Sequence, residues 1–230
     1  NEKHQKEGEY FHRLVQQHLI GIPTEQIGKL ANTDNLQRWW DNYLSAKDLK
    51  PLKNMLGLYP EVTLSAPLGK FRLLAKYDLI AVGKDQVTIY DWKTYRKRPK
   101  SEFLAIRLQT RVYRALLVQA GAFLNGGKPI APEQIEMIYW FADFPSEPAI
   151  FHYDVSQFKR DQSALEIVVG EIEKLEKFEL TNDEGKCRFC PYRSYCKRGA
   201  AAGDWRDAET EAEAHETFDI NFEQVGEIAF

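Results

Sequence analysis

Two acidic residues sit where core residues should: Asp78 in "KFRLLAKYDLIAV" and Asp91 in "QVTIYDWKT", runs rich in β-branched and aromatic side chains. The intervening "GKDQ" reads as a tight turn. Counting outward from it pairs Val82 with Val87, Ile80 with Ile89, and Asp78 with Asp91. Alternation places Asp78, Ile80, Val82, Val87, Ile89, Asp91 and Lys93 on one face, with Tyr77, Leu79, Ala81, Tyr90 and Trp92 on the other. Both faces are apolar, so the strands are expected to be central. Carboxylates opposed in such a sheet repel, and burying them unpaired costs a large part of a small domain's net stability. A hard divalent cation, Mg²⁺ or Mn²⁺, relieves that cost, because these ions favour one or two carboxylates together with water and phosphate oxygens. Lys93, two residues beyond Asp91, points the same way and can orient a metal-bound water. That is hydrolytic chemistry. A lone D-x-K is a common tripeptide and reads first as a structural ion pair at a strand end; the register match with Asp78 reverses that preference in favour of the site.

Other polar residues need destinations of their own. Gln109 and Tyr113 share a helix face with Ile106, Leu116 and Ala120, and Gln109 interrupts that apolar stripe. His12 follows Phe11 on an amphipathic helix and by itself is either a packed histidine or a ligand. Glu61, opening the first strand, reads as an exposed strand-end residue, with a further acidic contribution to the site as the other option. "YRKRPK" supplies Arg96, Lys97, Arg98 and Lys100, and the next helix adds Arg107, Arg111 and Arg114. Such a patch predicts salt-sensitive, largely sequence-independent polyanion binding, where an isolated cluster would read as a solvated face. Tyr95 beside it offers a ring for a base.

The elements that must position these groups follow from periodicity. Helical spacing covers residues 7–20, with Phe11, Leu14, Val15 and Leu19, and residues 34–45, with Trp39 and Trp40. Strands run consecutively from Glu61 to Thr94, punctuated by "PLGK" and "GKDQ". Residues 101–120 return to helix, opened by Ser101 as N-cap and closed by Gly121. "QIEMIYWFAD" and "AIFHYDV" read as two more strands, and residues 156–179 as a long helix. Three parts result: a core over 1–180, a cysteine segment over 181–200, and an acidic tail over 201–230, read as solvated or partner-bound.

With 43% hydrophobic and 13% aromatic residues, the 230-residue chain can bury one substantial core. A net charge of -3 gives no global basic signature, so a polyanion must be held locally. No apolar run reaches the length of a membrane span, no secretory signal is evident, and a membrane partner is not expected. The sequence starts at Asn1, so the natural N-terminus can lie upstream. Cys187, Cys190 and Cys196 are too few and too clustered for a secreted disulfide scaffold, which favours the cytoplasm. Their C-x2-C-x5-C spacing offers three soft ligands, where a structural site takes four.

In chain order, "GEYFH" with His12, "AKYDLI" with Asp78, "YDWKT" with Asp91, Lys93 and Thr94, and "QTRVY" with Gln109 and Tyr113 resemble the motifs of the RecB-like branch of the PD-(D/E)xK nucleases. Those motifs are G-x-x-x-H, G-x-x-D, D-x-K-T and Q-x-x-x-Y; Ala75 stands where glycine is usual. The resemblance implies an α/β, restriction-endonuclease-like core: a mixed central β-sheet flanked by helices, a helical N-terminal segment and a Cys-bearing C-terminal extension. It implies metal-dependent hydrolysis of DNA phosphodiesters, as an exonuclease or in DNA-end processing during repair, recombination or CRISPR adaptation. His12, Asp78, Asp91 and the Trp92 main-chain carbonyl would hold Mg²⁺ or Mn²⁺, Lys93 would position water, and Gln109 and Tyr113 would orient the scissile strand. Cys187, Cys190 and Cys196 resemble the C-terminal trio of the members with a 4Fe-4S cluster, whose fourth cysteine precedes the histidine helix and is absent from this chain. Zinc with a non-cysteine fourth ligand, or three unliganded thiols, are the alternatives. DNA, and a helicase or CRISPR adaptation protein, are the implied partners. A catalytically inactive nucleic-acid-binding module, or a scaffold docking through the acidic tail, is the competing reading.

Overall fold

The computed structural model describes residues 2–177, 179–183, 187, 190 and 192–198. The chain divides into two compact units, Asn1–Glu179 and Leu180–Phe230. The acidic tail expected over 201–230 lies outside the described residues.

The first unit is built on a five-stranded sheet: β1 (Gly57–Leu68), β2 (Phe71–Val82), β3 (Val87–Lys93), β4 (Ile135–Phe141) and β5 (Phe144–His152), in that spatial order. Neighbours are antiparallel except β3 and β4, so the sheet is mixed, as expected. The parallel pair requires a crossover, and α4 (Ser101–Ile106) and α5 (Leu108–Ala120) provide it. With α6 (Val155–Lys174) they cover one face, where Val112, Leu116 and Leu165 share a core with Tyr77, Ile80, Ile89 and Tyr139. On the other face α1 (Glu2–Leu19), α2 (Thr24–Gly28) and α3 (Asp34–Ser45) bring Phe11, Leu14, Trp39, Trp40 and Tyr43 onto Leu79, Tyr90, Trp92 and Trp140. Trp92 and Trp140 meet edge to face at 6.0 Å, and Phe11 stacks on Trp140 at 6.2 Å. Each such ring removes roughly 150–250 Å² from water. This aromatic layer holds α1 firmly against the sheet.

Several expectations need correction. The single helix over 101–120 is two helices, because Arg107 is extended (φ -59, ψ 145) with its guanidinium buried and donating to Tyr95 Oη at 3.4 Å. Thr110 Oγ1 donates to the Leu104 carbonyl at 2.6 Å across the break. Ser101 is not the N-cap; Lys100 is, and Ser101 Oγ instead accepts from Arg98 Nη2 at 3.2 Å. Gly121 does close α5. A Cβ there would lie 2.5 Å from the Leu117 carbonyl that its N–H caps. The last long helix ends at Lys174 rather than 179, and opens with Asp154 accepting from the Gln157 N–H at 2.7 Å.

The strand alternation also breaks. Ile80 and Val82 enter the α5 core, but so do Ala75 and Tyr77, while Leu79 and Ala81 face the tryptophans. Tyr77 was expected on the opposite face. β1 changes phase at the same level, since Tyr59 and Val62 both pack toward the α5 core. Pairing runs regularly to Pro60↔Leu79 and resumes at Val62↔Tyr77, leaving Glu61 across from Asp78. Glu61 has φ +56, a left-handed conformation that is uncommon outside glycine. Backbone strain is therefore concentrated beside Asp78.

Candidate active site

The strand break sets the site's geometry. Pairing of β2 with β3 ends at Leu79↔Tyr90, one step short of the expected Asp78–Asp91 pair. There the Asp78 side chain takes over from the backbone, with Oδ2 accepting from the Trp92 N–H at 2.8 Å. The two carboxylates thus do not meet directly across a regular ladder: a side chain lies between the strands, and each acid turns to a different helix. Asp78 Oδ1 is 3.2 Å from His12 Nδ1 on α1. Asp91 Oδ1 accepts from Gln109 Nε2 on α5 at 3.0 Å. In an extended strand the N–H and C=O of one residue face the same neighbour, which puts the Trp92 carbonyl on the β2 side of β3. The Lys93 carbonyl points the other way and accepts from the Ala142 N–H at 2.8 Å.

His12, Glu61 and Asp78 can each present a ligand atom within 4.8 Å of the others, the one group of three such residues among those described. Donors so spaced suit a small hard ion held at about 2.1 Å from each. Glu61 was expected at the exposed start of a strand; it lies inside β1, half-buried, 2.6 Å from Lys76 Nζ. Counting the β1–β2 hairpin outward from "PLGK" places Glu61 opposite Asp78, so the sequence contained the signal. Asp91 falls outside this trio and forms a second centre with Lys93, Nζ to Oδ2 at 2.6 Å. A carboxylate oxygen has two acceptor sites, so Oδ2 keeps capacity beyond this ammonium. The donor set fits a divalent cation.

Lys93 is enclosed. Its ammonium donates to Gln109 Oε1 at 3.2 Å and lies 5.8 Å and 5.4 Å from the ring centres of Tyr95 and Tyr139. Tyr139, which pairs with Asp91 in the parallel ladder, donates at 2.7 Å to Thr110 Oγ1, whose own hydrogen is committed to the Leu104 carbonyl, and its hydroxyl lies 3.3 Å from Gln109 Oε1. Nothing in the apolar run "EMIYWF" marked it. Tyr113 sits one turn beyond Gln109, but its hydroxyl donates to the Lys76 carbonyl at 2.7 Å and its ring packs on Tyr77 at 4.5 Å.

Electrostatics differ sharply between the two acids. Burial pushes Asp91 up, to about 6, with Lys93 opposing and the Asp78 charge adding to the rise. Burial also opposes ionisation of Asp78, but His12, Lys93 and the Trp92 N–H outweigh it and hold the group below its ordinary value. Burial disfavours the charged imidazole of His12, and Asp78 beside it raises the group on balance. Lys93 is likewise penalised by burial yet held well above its ordinary value, first by Asp91. The ammonium is retained.

Gly8 explains the approach of α1. A Cβ at that position would lie 2.8 Å from Thr94 Oγ1, and His4 Nε2 is 2.9 Å from the Thr94 carbonyl. Only a glycine lets the helix carrying His12 come this close to the end of β3.

The cation patch is smaller than expected. Arg114 is buried: it donates to the Thr110 and His152 carbonyls, pairs with Asp161 at 3.3 Å and lies over Tyr153 at 4.4 Å. It cannot reach a nucleic acid. Arg107 is buried at the α4–α5 break, and Arg98 binds the Glu147 carbonyl at 2.7 Å, tying its loop to β5. Arg111 is half-buried and 3.9 Å from Asp161. Arg96, Lys97 and Lys100 are exposed. In the second unit Cys187, Cys190 and Cys196 are free and half-buried, with the Cys190 N–H donating to the Cys187 carbonyl at 3.3 Å. Their sulfurs are not drawn into a three-ligand group as His12, Glu61 and Asp78 are.

Residues 1–197 match the family model of the PD-(D/E)XK nuclease superfamily. A crystal structure of a "Putative exonuclease" from Eubacterium rectale has a similar fold, with TM-score 0.50, 12% identity, and coverage of 86% of this chain and 76% of that one. The crystal structure of SSO0001 matches with TM-score 0.41 and 14% identity over 83% of each chain. No curated protein matches the sequence. The chain belongs to the PD-(D/E)XK nuclease superfamily, and among the described residues no helix is long and apolar enough to cross a membrane.

Proposed function

We propose that this member of the PD-(D/E)XK nuclease superfamily is a Mg²⁺- or Mn²⁺-dependent deoxyribonuclease of the RecB-like branch. Its reaction would be exonucleolytic or end-processing hydrolysis in repair, recombination or CRISPR adaptation. The observation that carries this reading is the convergence of His12, Glu61 and Asp78 beside the buried Asp91–Lys93–Gln109 group. His12, Glu61 and Asp78 would hold the ion, with Asp91 and the Trp92 carbonyl facing the same gap. When bound, the ion supplies a more acidic water and neutralises charge developing on the phosphate.

The protein's own residues set up the rest. Lys93 keeps its proton because Asp91 and two tyrosine rings surround it, so it presents fixed positive charge to the attacking water and the phosphate oxygens. Gln109 holds both members of the pair and prevents Lys93 from swinging away. Tyr113 braces α5 against β2 through the Lys76 carbonyl, so Gln109 keeps its place over the strand ends. Arg96, Lys97 and Lys100 would contact the nucleic-acid backbone without reading bases. We also assign Cys187, Cys190 and Cys196 as ligands of a 4Fe-4S cluster or zinc, distinguishable by the absorbance of anaerobically purified protein.

The test is cleavage of linear, circular and single-stranded DNA with Mg²⁺, Mn²⁺ or EDTA, for the wild type and Asp91→Ala. Metal-dependent cleavage lost in the variant is expected. Equal behaviour of the two proteins would end the enzyme reading in favour of a binding module.

A further inference from the structure

The cysteine segment has a second chemical character. Residues 186–198, "KCRFCPYRSYCKR", contain Lys186, Arg188, Arg193, Lys197 and Arg198 and no acid, within a chain of net charge -3. Tyr192 and Tyr195 stand three apart on one turn, closed by the Cys196 N–H donating to the Tyr192 carbonyl at 3.2 Å. Both are unusually open, 67% and 85% exposed, with ring centres 6.5 Å apart. The turn ends in paired hydrogen bonds, from the Lys197 N–H to the Ser194 carbonyl and from the Arg198 N–H to the Arg193 carbonyl, each 3.1 Å. This is the closure that normally employs glycine in the left-handed position, yet Lys197 occupies it with φ +57. A lysine there is strained, and its exposed side chain stands next to the tyrosine turn.

The neighbouring arginines serve the segment itself. Arg193 Nε donates to the Arg198 carbonyl, and Arg198 Nη1 lies 3.1 Å from Cys187 Sγ. They fix the turn while the rings and Lys197 remain in water. Two exposed aromatic rings beside an exposed lysine, in a sequence segment without an acid, match a polymer that carries both flat apolar groups and phosphates. Single-stranded nucleic acid is that polymer, whereas a duplex keeps its base faces stacked away. We propose that the turn over residues 192–198 binds single-stranded nucleic acid, with Tyr192 and Tyr195 stacking on bases and Lys197 on an adjacent phosphate. The choice of DNA over RNA rests on the nuclease reading above; the stacking platform does not.

Fluorescence anisotropy of a labelled oligothymidylate, with full-length protein in buffer without added Mg²⁺, Mn²⁺ or chelator so that no cleavage contributes, tests the proposal. Tyr192→Ala/Tyr195→Ala should weaken binding by about tenfold or more, with blunt duplex affected less than about twofold. Tyr192→Phe/Tyr195→Phe should bind within about twofold of wild type, because stacking needs the ring and not the hydroxyl. Lys197→Ala should lower the log–log salt slope by about 0.7. Unchanged affinity in the alanine variant, equal loss in the alanine and phenylalanine variants, or equal loss on duplex each overturns the platform. Cleavage by the wild type with Mn²⁺ is scored separately. A protein that cleaves but binds the oligomer without its tyrosines loses this proposal alone, and one that binds through them without cleaving loses the nuclease reading alone.

Discussion

Gln109 Nε2 donates to Asp91 Oδ1 at 3.0 Å, while the same amide's oxygen accepts from Lys93 Nζ at 3.2 Å. One planar side chain thereby bridges a carboxylate and an ammonium already paired at 2.6 Å and fixes the orientation of both. Groups of this kind, which orient reacting residues, are worth about 10–100-fold when removed. Gln109→Ala should lower single-turnover cleavage by about that factor, while Mn²⁺ binding measured by calorimetry changes little because His12, Glu61 and Asp78 remain. Gln109→Glu should be worse, since it sets a second negative charge against Asp91. A Gln109→Ala enzyme at wild-type rate would remove Gln109 from the site.

The metal-free protein should prefer mild acid. Asp91 is raised by burial to about 6, so the folded state holds a proton that the unfolded state releases from about pH 4, and stability falls as pH rises through about 6. His12, raised on balance by Asp78, contributes stability below its ordinary value of about 6.5 that is likewise lost above its folded value. Asp78 is lowered, so its contribution is present above about pH 4 and is lost only in stronger acid. Thermal melts in EDTA should therefore show a lower Tm at pH 8 than at pH 5. Mn²⁺ should raise Tm more at pH 8, where it meets fewer competing protons, by the equivalent of about 2.7 kcal/mol at a hundred times its Kd. A Tm in EDTA that climbs from pH 5 to pH 8 contradicts this account.

Gly8 and Thr94 should be energetically coupled. Alanine normally favours a helix over glycine by about 1 kcal/mol, but here its methyl would lie 2.8 Å from Thr94 Oγ1. Gly8→Ala should displace α1, and with it His12, reducing both Tm and cleavage. Thr94→Ala removes the obstructing oxygen, and the next neighbour, Thr94 Cβ at 3.9 Å, is at ordinary van der Waals distance. The double variant should recover most of the loss, with a coupling of about 1 kcal/mol or more across the four proteins. Simple additivity would place the cost of Gly8→Ala elsewhere.

The parts of the fold legible in sequence were those governed by local periodicity or by short turns. The β2–β3 register counted from "GKDQ" matches the observed Ile80↔Ile89 and Val82↔Val87 pairs, and the helix over 34–45 matches Asp34–Ser45. The phase change at Asp78 was not legible, because it depends on Glu61 adopting a left-handed backbone in a different strand. The same event made the Asp78–Asp91 opposition look more direct than it is, whereas the place of Glu61 opposite Asp78 can be counted from "PLGK". Tyr139 was hidden for another reason: in an apolar parallel strand, only the neighbour across the ladder tells a site residue from a core residue.

Counting cations in sequence cannot separate those that bind from those that brace, and Arg114 and Lys97 make the difference measurable. Arg114 links α5 to Asp161 on α6 and to the end of β5, so Arg114→Ala leaves Asp161 buried opposite a cavity. The loss should be about 3–5 kcal/mol in urea unfolding. Replacing Arg96, Lys97 and Lys100 together by alanine should leave unfolding nearly unchanged, because all three are exposed. The same variant should flatten the log–log salt dependence of duplex DNA binding by up to about 2.7, or about 0.9 for each phosphate no longer neutralised. If the triple variant keeps the wild-type slope while Arg114→Ala folds normally and loses DNA affinity, the assignment of bracing and binding roles is reversed, and α5 rather than the loop after β3 faces the nucleic acid.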